Sequence, residues 1–170
     1  MAPTKTSART NPEENGVARA TTRPFNQSLP MTLMRAREAV MQWFRPHLRQ
    51  HDLTEQQWRI LRVLAEERST DMLSLSKRCS IQPPSLSRTI PLLVKRGLVK
   101  RCSHGNDQRR ILVDLTPQGR NLFRTMSEES AAIYAQLEGE IGSERLRQIY
   151  SVLQDLIARA KLPEELPSEE

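Results

Sequence analysis

Between residues 28 and 161, apolar residues recur every three or four positions, the spacing that places them on one side of an α-helix. A first helix is predicted over 28–50, with the apolar stripe Leu29, Leu33, Val40, Phe44 and Leu48. Thr54 and Gln57 form the capping-box pattern that begins a second helix. A short third helix is predicted around 71–79.

A fourth helix is predicted over 83–96. Pro83 and Pro84 fit its first turn, where a missing N–H costs little. Its apolar positions are Leu86, Ile90 and Leu93, and Gly97 marks its end.

After residue 97 the apolar period changes from 3.6 to two, which predicts strands over 98–102 and 111–115 joined by a polar loop, 103–110. Thr116 followed by Pro117 is typical of the start of a helix. This long helix is expected to end at Gly142, before a last helix that ends near Lys161.

The second to fourth helices, followed by a hairpin and flanked by long helices, predict a mainly α (α+β) winged helix-turn-helix fold. Its DNA-binding part would span 54–116, within a domain over 28–161. The long helices over 28–50 and 117–161 have apolar stripes to bury, and a second copy of the chain is the simplest partner, so we expect a homodimer. Residues 1–27 are expected to form a disordered arm, and residues 162–170 an acidic tail.

Composition narrows the function classes. The 170 residues suit one domain, and the chain has neither an 18-residue apolar run nor an apolar N-terminal signal. We therefore expect no membrane span. Because the two Cys form no disulfide framework, we expect a cytoplasmic protein. Residues 71–120 hold ten Lys or Arg against three Asp or Glu. This basic block indicates either a surface for a polyanion or a solubilising face.

The fourth helix has a polar face opposite its apolar stripe. That face consists of Pro84, Arg88, Pro91 and Lys95, with Ser85 and Ser87 at its edges. Small polar side chains and Arg near a helix N-terminus suit the major groove of double-stranded DNA. An ordinary surface helix would explain the apolar stripe equally well.

The polar loop contains Asp107 two residues before Arg109. A carboxylate there can hold the guanidinium by a bidentate pair and direct it into the narrow minor groove, with Arg110 at the phosphates. The alternative is a surface salt bridge worth about 0–1 kcal/mol.

These segments resemble the MarR (multiple antibiotic resistance regulator) family. The similar stretches are Ser85-Leu86-Ser87-Arg88, the run 95–99 and the run 107–116. Residues 35–41 and 53–62 are similar to the subfamily that represses homoprotocatechuate (4-hydroxyphenylacetate) degradation operons. The resemblance implies a triangular dimer, a recognition helix over 83–96, Arg109 as the minor-groove residue, and release from DNA by a small aromatic acid.

The sequence therefore predicts a repressor that reads a pseudo-palindromic operator. The expected DNA-binding residues are Gln82, Pro84, Ser85, Ser87, Arg88, Lys95, Asp107, Arg109 and Arg110. A winged-helix module that binds an acidic protein is an alternative, and so is a redox-sensing regulator that uses Cys79 and Cys102.

A ligand site is predicted on the first helix. Arg37, His47 and His51 fall on its apolar side, and a buried guanidinium needs a partner. The carboxylate of a phenolic or aryl-carboxylic acid fits Arg37, but Glu38, Glu55 or a partner-chain carboxylate would also satisfy it. Trp58 could supply an aromatic wall. The expected ligand-binding residues are therefore Arg37, His47 and Trp58.

Metal and catalytic sites are not expected. The three His have neither Cys nor an acidic spacing around them, so no metal and no cofactor is predicted. The sequence shows no nucleophile–base pair, phosphate-binding Gly loop or matched carboxylates, so no enzyme is predicted. Cys79 occupies an apolar position of the third helix and is interpreted as a core residue.

Overall fold

The computed structural model describes residues 24–104 and 107–160, and the side chains of residue 26 and residues 103–111 lie outside that description. The chain divides into two units, residues 1–38 and 39–170. In the first unit, Phe25–Gln27 forms a 3-10 turn, and helix α1 (Leu29–Gln50) begins. The expectation of an unstructured arm up to residue 27 is therefore wrong at its end. The rest of that arm (1–23) and the predicted tail (162–170) lie outside the described residues.

The remaining elements follow the predicted order. The helices are α2 (Glu55–Glu66), α3 (Met72–Cys79), α4 (Pro83–Lys95), α5 (Pro117–Ile141) and α6 (Ser143–Arg159). The strands are β1 (Thr70–Asp71), β2 (Val99–His104) and β3 (Asp107–Leu115). The mainly helical winged helix-turn-helix fold is confirmed. Among the described helices, none has both the length and the apolar content needed to cross a membrane.

Local capping explains where the helices begin. Thr54 Oγ1 accepts a hydrogen bond from the Gln57 N–H at 3.2 Å, and the Gln57 side chain accepts one from the Thr54 N–H at 3.0 Å. Thr116 Oγ1 accepts from the Gly119 N–H at the start of α5. Gly97 has φ +69°, a conformation that favours glycine, and it follows the end of α4.

The sheet differs from the prediction in two ways. The sequence pattern missed β1, which pairs antiparallel with β3, so the strand order is β1-β3-β2. The polar loop predicted over 103–110 is wrong in extent, because β2 continues to His104 and β3 begins at Asp107. Antiparallel pairing uses main-chain groups, so it extends into residues that have no apolar alternation.

One core within residues 39–170 holds α4 in place. Its fully buried members come from α1 to α5 and both hairpin strands: Leu48, Ile60, Leu61, Leu64, Leu75, Leu86, Ile90, Leu93, Val99, Val113, Leu115 and Met126. α5 closely approaches the residue that precedes β2 at Gly119, where an added Cβ would lie 2.0 Å from the Leu98 carbonyl oxygen. The core thus fixes which side of α4 faces outward.

Candidate nucleic-acid interface and neighbouring cavity

The turn between α3 and α4 is held by side-chain hydrogen bonds to main-chain carbonyls. Ser76 Oγ, which is buried, donates to the Ile81 carbonyl at 2.6 Å, and the Ile81 N–H donates to the Ser76 carbonyl at 3.1 Å. From α2, Arg59 Nη1 donates to the Cys79 carbonyl at 2.7 Å and to the Ser80 carbonyl at 3.3 Å. These bonds fix the start of α4 relative to α2 and α3.

α4 presents one apolar and one polar side. Leu86, Thr89, Ile90 and Leu93 are buried. The predicted DNA-contacting residues of this helix are on the other side: Gln82, Pro84, Ser87, Arg88 and Lys95 are exposed, and Ser85 is half-buried. Their exposure is what a groove-reading face requires, and their contact with DNA stays a prediction.

The first turn of α4 has few main-chain donors. Pro83 and Pro84 have no N–H, and the Gln82 side chain makes no capping hydrogen bond. Ser85 is therefore the first residue of the helix with an amide hydrogen to donate. The positive end of the helix dipole lies here, so this turn suits a phosphate group contacted through Ser85.

The hairpin extends beyond α4 as an antiparallel pair. Val99 pairs with Leu115 and Arg101 with Val113, and the register shifts between Ser103 and His104. Lys100 and Arg101 are exposed on β2.

The side chains of Asp107, Arg109 and Arg110 lie outside the described residues, so the predicted Asp107–Arg109 pair stays a prediction. Arg96 instead has a structural role, because its Nη1 donates to the Asp52 carbonyl at 2.5 Å and its Nη2 to the His51 carbonyl at 3.1 Å.

A cavity of about 240 Å³ lies among α1, α2 and α5. Its lining consists of Phe44, Trp58, Arg62, Glu66, Phe123, Ser127, Ser130, Ala131 and Tyr134. The rings of Trp58 and Phe123 are stacked with centroids 5.6 Å apart, and those of Phe44 and Tyr134 lie 4.9 Å apart. The lining offers four aromatic rings, three hydroxyls, one guanidinium and the carboxylate of Glu66. The rings suit a small aromatic molecule, and Arg62 is the group that could pair with an anionic substituent on it.

The cavity changes the predicted ligand-binding set. Trp58 is one of its walls, as expected. Arg37 is exposed, so its expected burial is wrong. Arg62 is the guanidinium that lines the cavity, and sequence reasoning missed it. The signal was present, because Trp58, Arg62 and Glu66 recur at four-residue spacing along one side of α2.

His47 and His51 lie close to a carboxylate that the sequence analysis did not connect with them. Glu129 Oε2 on α5 is 3.1 Å from His47 Nδ1 and 2.6 Å from His51 Nε2. The hydrogen bond from His51 holds the pKa of the Glu129 carboxyl below its ordinary value. The sequence shows no acidic spacing around these His, because Glu129 is distant in sequence and is brought there by α5.

The two cysteines differ in environment. Cys79 is buried and Cys102 is half-buried. Burial raises the pKa of the Cys79 thiol to about 11. A protonated thiol is a poor nucleophile, so the interpretation of Cys79 as a core residue is favoured over the redox alternative.

Comparisons with known proteins agree with this geometry. The MarR family model matches residues 51–110. The chain is 39% identical over 134 residues to the homoprotocatechuate degradative operon repressor of Escherichia coli, which covers 79% of this chain and 90% of the repressor. It is also 39% identical over 148 residues to the HTH-type transcriptional regulator FarR of Neisseria gonorrhoeae, covering 86% and 99% of the two chains.

A solved structure, NadR in complex with 4-hydroxyphenylacetate, matches with a TM-score of 0.71 and 36% identity. The match covers 77% of this chain and 96% of that one.

Proposed function

We propose that this chain, which belongs to the MarR family of transcriptional regulators, is a dimeric repressor of an aromatic-acid catabolic operon. In this proposal a small phenolic or aryl-carboxylic acid, of the homoprotocatechuate or 4-hydroxyphenylacetate type, releases it from its operator. The names of the Escherichia coli repressor and of the NadR complex support this chemistry.

The observation that carries the proposal is the division of α4 into a buried apolar side and an exposed side with Ser87, Arg88 and Lys95. A helix held rigidly by its core can present these side chains to base edges in the major groove. Ser85 would bind a phosphate at the helix N-terminus. Gln82 and Pro84 would lie against the DNA at the same end, and Asp107, Arg109 and Arg110 would act from the hairpin tip in the adjacent minor groove.

The cavity is the proposed effector site. The aromatic ring of the acid would pack on Trp58 and Phe123, and its carboxylate would pair with Arg62. The ring hydroxyl of a phenolic acid would find a partner in Ser127 or Ser130. His47 is buried beside Trp58, with ring centroids 6.5 Å apart, and it stays a proposed member of this site. Arg37 stays a proposed ligand-binding residue.

Effector release is proposed to act through α2 and α5. Both helices line the cavity; α2 is tied to the α3–α4 turn by Arg59, and α5 follows directly from the hairpin. An acid that binds one arrangement of these helices more tightly shifts the population toward it. The affinity for DNA then falls by the factor by which the acid binds this arrangement more tightly than the DNA-binding one.

Fluorescence anisotropy with a labelled duplex from upstream of the chain's own gene tests the proposal. We expect salt-dependent binding that 4-hydroxyphenylacetate weakens. Arg88→Ala should weaken specific binding by about 1–3 kcal/mol while changing non-specific binding less. The matched control is Arg147→Ala, which removes an exposed arginine of α6 paired only with Glu144 in the described structure.

Two results would contradict the proposal separately. Binding that is indifferent to salt and to Arg88→Ala would remove the DNA-reading role and favour the protein-binding alternative. If the operator is bound normally and no hydroxyphenylacetate or benzoate changes that binding, the DNA-binding role stands and the proposed release by an aromatic acid is refuted.

A further inference from the structure

Three potential metal ligands converge between the last turns of α1 and the middle of α5. His47 and His51 are one helical turn apart, and Glu129 faces both. Each of the three residues offers one ligand atom, and these atoms all lie within 4.8 Å of one another. His47 is buried, His51 is half-buried, and Glu129 opens to solvent.

Polar groups contact both ring nitrogens of His47. Ser130 Oγ lies 2.6 Å from the Met126 carbonyl, to which it donates, and 3.3 Å from His47 Nε2. In the tautomer with its proton on Nε2, His47 donates to Ser130 Oγ and turns the lone pair of Nδ1 toward Glu129 Oε2, 3.1 Å away.

Two lone pairs facing each other at this distance repel unless a cation lies with them. A second proton on His47 would meet this need by making an imidazolium that pairs with Glu129. A metal ion would meet it as well and would also use His51 Nε2, which faces the same carboxylate oxygen at 2.6 Å.

We propose that His47 Nδ1, His51 Nε2 and the Glu129 carboxylate form a binding site for a divalent transition-metal ion of the Zn²⁺ type. Two imidazoles and one carboxylate are a ligand set that Zn²⁺ uses, and the fourth position would be open to water beside the exposed Glu129. Tetrahedral ligand atoms about 2.1 Å from zinc stand roughly 3.4 Å apart. Glu129 Oε2 lies 3.1 Å from His47 Nδ1 and 2.6 Å from His51 Nε2, so the carboxylate would have to move away from the two nitrogens to admit the ion.

The surroundings of the site resemble a metal site's outer shell. Ser130 Oγ lies 3.3 Å from the far nitrogen of His47, at the place of the outer-shell group that orients a metal-binding imidazole. Bound metal would join the end of α1 to α5. Ser130 also lines the cavity and His47 is a proposed member of the effector site, so the two proposed sites share these two side chains.

Isothermal titration of the metal-stripped, tag-free full chain with ZnCl₂ tests the site directly. We expect one zinc ion per chain. His51→Ala and Glu129→Gln should each weaken zinc binding by at least about tenfold, since even outer-shell changes cost that much. Glu128→Gln is the matched control, because it removes the neighbouring exposed carboxylate of α5 and should leave the affinity unchanged.

A second measurement keeps the test independent of how the variants fold. Long-range ¹H–¹⁵N spectra of the wild-type histidine rings should show zinc on Nδ1 of one ring and on Nε2 of another. Absence of saturable zinc binding would overturn the proposal in favour of an imidazolium–carboxylate pair. Zinc binding that both variants retain, or ring shifts outside His47 and His51, would also overturn it. Neither DNA nor an aromatic acid is present, so the outcome does not depend on the proposed function.

Discussion

Three arginines illustrate what residue-level reasoning can and cannot recover. Arg59 and Arg96 donate to main-chain carbonyls of neighbouring turns, whereas Arg62 lines the cavity. The sequence does not distinguish these arginines. Every residue has a main-chain carbonyl, so an arginine that donates to one has no characteristic partner residue in the sequence. Trp58, in contrast, was predicted as an aromatic wall from its side-chain chemistry and helical position, and it lines the cavity.

The guanidinium that binds the effector can be identified by comparing two variants. Arg62→Ala should weaken 4-hydroxyphenylacetate binding by about 1.5–3 kcal/mol, the range for a hydrogen bond to a charged group, while operator binding is retained. Titration calorimetry measures the first quantity and anisotropy the second. Arg37→Ala is the comparison, because the sequence analysis favoured Arg37 and the structure shows it exposed. If Arg37→Ala alone removes the response, Arg62 is not the carboxylate partner.

At the level of elements, starts and ends were predicted well where they depend on neighbouring residues. The capping box at Thr54 and the Thr116–Pro117 start are local, so the sequence contains the whole signal. β1 was missed for the opposite reason. Its two residues have no period of their own, and Thr70 is in a strand because it pairs with Val113 across the sheet. A strand that exists because it pairs with a distant strand cannot be predicted from the period of its own apolar residues.

Two glycines of α5 should respond to alanine in opposite directions. A Cβ at Gly119 would lie 2.0 Å from the Leu98 carbonyl oxygen, so α5 would have to move away from β2. Gly119→Ala should therefore lower the free energy of unfolding by at least about 1–3 kcal/mol, the usual cost of overpacking. Gly139 has nothing within 4 Å of an added Cβ. Gly139→Ala should raise the free energy of unfolding by about 0.5–1 kcal/mol through helix propensity. Urea denaturation of both variants measures this, and equal effects would contradict the close approach.

At the scale of the whole molecule, long-range convergence limits prediction from sequence. His51 and Glu129 are 78 residues apart and share a hydrogen bond, so no local spacing could reveal the cluster. The cavity likewise combines residues of α1, α2 and α5. Apolar surface that one chain leaves uncovered can be predicted from the sequence, because the apolar stripe of an amphipathic helix is visible there whether or not the same chain covers it. That is why a homodimer could be hypothesised from the helices over 28–50 and 117–161.

α6 provides the test of that hypothesis. None of its residues is buried in a single chain, and Val152 and Ile157 are 67% and 73% exposed. We expect a second copy to cover this stripe, so the double variant V152E/I157E should be monomeric by sedimentation or light scattering. Gln154→Glu adds a charge to the polar side of α6 and should remain dimeric.

A monomer has one recognition helix and engages one half-site, so its operator affinity should fall toward the non-specific level, by at least about a thousandfold. A double variant that remains dimeric would place the interface elsewhere, and a monomer with undiminished affinity would refute two-fold reading of the operator.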